Sequence, residues 1–94
     1  MIAVIARLKA KPGSEADLER TMQELINEVR AKEEGNQLYT LCRDADGGFV
    51  MLEIYEDEAA LAAHGQSAHF QDLGPKMGPY MAGRPSIEKL EVIA

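Results

Sequence analysis

Apolar and polar positions change period along the chain, and each change marks an expected element. Residues 2–8, IAVIARL, are almost continuously aliphatic until Lys11-Pro12-Gly13 interrupts them, which predicts a first strand. The period then lengthens. Ser14 stands where an N-cap belongs, with Asp17 three residues on, and Leu18, Met22, Leu25, Ile26 and Val29 recur at helical spacing, so a helix is expected over about residues 14–33, ended by Gly35-Asn36. Residues 37–43 and 48–56 read as two strands around the turn Asp44-Ala45-Asp46-Gly47-Gly48, and they should pair antiparallel. Asp57 is placed to cap a second helix through Ala59, Ala60, Leu61 and His64; Gly65 and Ser67 break it before another helical turn around His69, Phe70 and Leu73. Gly74-Pro75 and Gly78-Pro79 punctuate the stretch after that turn, and residues 87–93 close the chain as a fourth strand.

The order β-α-β-β-α-β, with right-handed crossovers, gives an α+β fold: one antiparallel sheet with the helices on one face, the ferredoxin-like arrangement. In the third strand Val50, Leu52 and Ile54 make a purely apolar face, expected to meet the helices, while Phe49, Met51, Glu53 and Tyr55 point the other way. The first strand is apolar on both faces. Strands apolar on both sides need cover on both sides, and this chain has only one layer of helices to offer. A homodimer packed sheet to sheet is therefore expected.

Composition narrows the partners. The 94 residues make a single domain, 1–94, and 46% apolar content is that of a globular chain with a thin core. A net charge of -6, with no Lys/Arg cluster to track phosphates, argues against nucleic acid and against an anionic membrane surface. The apolar run over residues 2–6 lacks a basic flank and is far too short for a leader or a spanning helix, and Cys42 alone cannot form an internal disulfide, so a cytoplasmic protein is expected.

The chemistry concentrates between Phe49 and Phe70. An acid, Glu53, and an imidazole, His64, on a strand and the helix after it are the expected catalytic pair, His64 as base or hydrogen-bond donor and Glu53 as its orienting partner or an alternative base. Tyr39, Phe49, Met51, Tyr55 and Phe70 are expected to wall a pocket for a small molecule. Plainer roles compete: His64 as a packed core residue, Glu53 paired with Arg43 across the hairpin, and His69 at the surface or a helix cap. His64 and His69 are five residues apart across a glycine-containing break, which is not the spacing of a helical metal pair, so no metal is expected. No glycine-rich strand-to-helix fingerprint indicates a nucleotide or flavin, and no cofactor is expected. Cys42, inside a strand, reads as a small buried hydrophobe.

These same residues carry a resemblance. Tyr39-x-Leu41-x-Arg43-Asp44, Glu53-x-Tyr55, Asp57-Glu58-x-Ala60-Leu61-x-x-His64 and Ser67-x-His69-Phe70 resemble the antibiotic biosynthesis monooxygenase family of dimeric α+β barrel proteins, over nearly the whole chain. The resemblance implies a homodimer and a cofactor-independent monooxygenase acting on polyphenols or quinols. It also leaves room for a proton-transfer isomerase or a non-catalytic binding or stress-associated dimer, since the fold hosts all of these. The haem-degrading branch carries an Asn in the first strand and a Trp at the end of the third; this chain has no Asn in its first strand and Tyr55 at the aromatic position, which implies no haem site.

Overall fold

Residues 1–94 are described by a computed structural model, in which the strands and helices run in the order β1 (Ile2–Leu8), α1 (Glu15–Lys32), β2 (Asn36–Arg43), β3 (Phe49–Tyr55), α2 (Glu58–Gln66), α3 (Ala68–Met77), a 3-10 turn (Gly78–Tyr80) and β4 (Ser86–Glu91). The sheet is antiparallel with strand order β2-β3-β1-β4, the ferredoxin-like order, and it is open rather than closed into a barrel. Its register places Glu53 of β3 opposite Val4 of β1 and Tyr39 of β2. No helix is long and apolar enough to cross a membrane.

Local signals act at most element ends. Asp57 caps α2 by accepting from the Ala60 amide at 2.8 Å, and Ser67 both accepts from the Phe70 amide at 3.2 Å and donates to the His64 carbonyl at 2.7 Å, so one serine ends α2 and starts α3. In the β2–β3 turn, Gly47 has φ +83° and Asp44 gathers the Asp46 and Gly48 amides. Ser14 makes no side-chain cap bond to α1, and Asp17 is taken up by Arg20 at 3.0 Å. α3 runs through Gly74 and Pro75 to Met77, where the pattern predicts a break. Pro75 falls in its last turn, and buried Leu73 and Met77 pin the helix to the core.

The facing of β3 is the reverse of the expectation. Phe49, Met51, Glu53 and Tyr55 lie under the helices, 2%, 3%, 7% and 0% exposed, while Val50, Leu52 and Ile54 take the open face. Alternation cannot choose between two apolar faces; volume does, because the larger rings and thioether fill the depth between sheet and helices. On β1, Val4, Ala6 and Leu8 face inward with them. Leu18, Met22, Leu25, Ile26 and Val29 of α1 complete the core above this face. Arg43 salt-bridges Glu19 at 2.7 Å and stands over the Phe49 ring, so it is not the partner of Glu53.

Candidate active site

Beneath α2 and α3 the inner sheet face leaves a cavity of about 230 Å³, floored by Val4, Ala6, Met51 and Glu53 and roofed by Leu61, His64 and Phe70. Almost all of its wall is apolar. An engineered cavity of about 150 Å³ in an apolar core admits benzene, so this volume suits one substituted ring or a compact fused pair.

Three titratable side chains on this wall, Tyr39, Glu53 and His64, set its chemistry. Glu53 accepts a hydrogen bond from the Tyr55 hydroxyl at 2.6 Å. Burial, opposed by that hydrogen bond and assisted by the Glu33 charge, pushes the Glu53 carboxyl up to about 7. Burial and the adjacent Glu53 hold the Tyr39 and Tyr55 phenols well above their ordinary range, so both remain hydroxyl donors. His64 is caged by rings, its centroid 5.3 Å from Tyr39, 5.4 Å from Tyr55 and 4.9 Å edge-on from Phe70. Its Nδ1 lies 2.8 Å from Glu33 Oε2, which directs the opposite edge of the ring, with Nε2, away from that carboxylate.

Residues 1–75 fit the model of the family described as "Antibiotic biosynthesis monooxygenase". This chain belongs to the antibiotic biosynthesis monooxygenase family. It is 41% identical over 73 residues to "Putative monooxygenase YcnE" of Bacillus subtilis (strain 168), covering 76% of each protein. It is 35% identical over 78 residues to "Putative monooxygenase Rv0793" of Mycobacterium tuberculosis, 82% of this chain and 76% of that one. Among solved structures, one described as a "putative antibiotic biosynthesis monooxygenase" from Caulobacter crescentus CB15 superposes with a TM-score of 0.94 at 38% identity, over 99% of this chain and 90% of the other.

Within this family member, the residues singled out by sequence are only partly brought together. Tyr39, Met51, Glu53, His64 and Phe70 line the cavity. Tyr55 lies behind it, fully buried, and reaches the site through its hydroxyl on Glu53. Phe49 sits in the core beneath the Arg43 guanidinium and is not a wall of the cavity. Glu53 and His64 share the space, but no hydrogen bond joins them.

The partner of His64 is instead Glu33, at the C-terminal end of α1. The Glu33 carboxylate also takes His69 Nε2, at 2.5 Å, so His69 is neither a cap nor a surface residue: its side chain is 8% exposed. Glu33 could not be found from local pattern, because it is 31 residues from His64 and ends an amphipathic helix like any solvated acid. Two residues on, Gly35 passes so close to α2 that an added Cβ would stand 2.6 Å from Ala60 Cβ.

Proposed function

We propose that this protein is a cofactor-independent monooxygenase that oxidises a small electron-rich aromatic, a polyphenol or quinol of one or two rings, in the cavity beneath α2 and α3. The observation that carries this reading is an apolar cavity in which a carboxyl pushed up to about 7 by burial shares the space with an imidazole oriented by a second carboxylate.

His64 acts as the base. With its Nδ1–H donated to Glu33, the Nε2 lone pair takes the phenolic proton, general base assistance being worth about 10² to 10⁴ in rate. The phenolate then passes one electron to dioxygen, the resulting pair joins as a C–O bond, and the O–O bond breaks. One oxygen atom stays in the ring as the quinone carbonyl and the other leaves as water with two hydrogens. All four electrons come from the substrate, so the balance needs no external reductant. Glu53 in its protonated form, held by the Tyr55 hydroxyl, donates toward the departing oxygen. Tyr39, Met51 and Phe70 keep the site dry.

The working form is a homodimer joined through the open sheet face, in the cytoplasm. Its support is the apolar character of Ala3, Ile5, Val50, Leu52 and Ile54 on that face, flanked by exposed Leu38 and Leu90.

The test is oxygen uptake by chelator-treated protein across a panel of hydroquinones and polyphenols, with the products assayed. One quinone formed per dioxygen consumed is expected. Absence of uptake across the panel overturns the oxygenase; a rearranged product without uptake would instead place the same base in a proton-transfer isomerase.

A further inference from the structure

Behind His64, on the side away from the cavity, three side chains from three elements converge. Glu33 comes from the end of α1, His64 from α2 and His69 from α3, and their donor atoms all lie within 4.8 Å of one another. The three side chains are 10%, 7% and 8% exposed. No Lys or Arg meets the Glu33 carboxylate; Lys32 next to it is taken by Glu28 at 2.6 Å. Glu33 also lies at the C-terminal end of α1, the end where backbone carbonyls already concentrate negative charge. A carboxylate withdrawn from water at that place calls for a compensating cation.

We propose that Glu33, His64 and His69 form a binding site for one divalent transition-metal ion of the Zn²⁺ or Fe²⁺ class. Two imidazoles and one carboxylate are the donor set such ions favour, and three protein donors leave positions open for water. In the structure Glu33 Oε2 stands 2.8 Å from His64 Nδ1 and 2.5 Å from His69 Nε2, hydrogen-bond spacings that hold the three side chains together. Bonds of about 2.0–2.1 Å to an ion need neighbouring donors about 3.0–3.4 Å apart, an expansion of several tenths of an ångström. Glu33 and His69 also border a polar cleft with Glu34, Asn36 and Ser67, through which an ion can enter.

The oxidation described above uses the metal-free form, and the site stands whatever the cavity binds; an ion held there would switch the base off. It has one consequence for the cavity. An ion on Nδ1 leaves the ring proton of His64 on Nε2, converting that edge from acceptor to donor.

The test is calorimetric titration of chelator-stripped protein with Zn²⁺, repeated with Co²⁺ to read coordination from its visible absorption. One ion per chain with a Kd in the micromolar range or tighter is expected, weakened at least about tenfold by Glu33→Gln and by His69→Ala. Binding that is not saturable at one per chain, or that His69→Ala leaves unchanged, overturns the site. Should either variant fold poorly, ¹⁵N resonances of the unaltered protein decide. Zn²⁺ must move His64 Nδ1 and His69 Nε2 together; an ion that leaves both unmoved, binding exposed acids instead, also overturns it.

Discussion

At the scale of single residues, Glu53 is the carboxylate whose environment departs furthest from that of an exposed acid. Its carboxyl is moved from the ordinary 4.5 to about 7, so the folded state holds the proton over a range in which the unfolded chain has already released it. Stability linked to this group is therefore fully present below pH 4.5 and is lost as pH rises through 7, in total by about 3 kcal/mol. Glu53→Gln keeps an acceptor for the Tyr55 hydroxyl and abolishes the titration. It should therefore melt higher than the parent protein at pH 8, with a difference that shrinks toward zero near pH 4.5; a pH-independent difference in calorimetry would refute this linkage. The same variant tests catalysis. If protonated Glu53 donates in the reaction, kcat should fall above about pH 7 in the parent protein, and Glu53→Gln, still a donor, should lose that descending limb. His64→Ala removes the base and should cost at least about tenfold in turnover. Circular dichroism has to show its fold retained, because a loss through unfolding would make His64 a packing residue instead.

At the scale of elements, Gly35 governs how closely α2 approaches the start of β2, and hence whether Glu33 reaches His64. A methyl group there meets Ala60 Cβ at 2.6 Å, backbone against a short side chain with no rotamer to yield. Gly35→Ala should destabilise by about 1–3 kcal/mol, lowering the melting temperature by several degrees, and should spread Glu33 from the two imidazoles. An unchanged melting temperature would show that α2 shifts freely. Element positions were legible because caps and breakers are local: Asp57, Ser67 and Gly47 each act within four residues of themselves. What could not be read were relations across the fold. The sequence FVMLEIY is apolar on both faces except at Glu53, so nothing in it says which face the helices cover, and the pairing of Glu33 with His64 and His69 exists only after α1, α2 and α3 are packed. α3 outran its predicted end for a related reason: Leu73 and Met77 gain burial in the core that local propensity does not count.

At the scale of the molecule, the corrected facing of β3 changes where the proposed dimer contact can be tested. Met51 points into the core, 3% exposed, so a charge there should unfold the chain rather than separate subunits. Leu52 and Ile5 are cross-strand partners in the middle of the open face, where two copies would meet. The protein should run near twice its 10.3 kDa mass in light scattering at micromolar concentration. Leu52→Asp places an unpaired carboxylate in that contact, at a cost of several kcal/mol, roughly a thousandfold in dissociation constant. It should yield a monomer that keeps its circular dichroism, since Leu52 is not among the core residues under the helices. A parent protein that is already monomeric, or a Leu52→Asp variant that remains dimeric, would mean that the open face is not the contact.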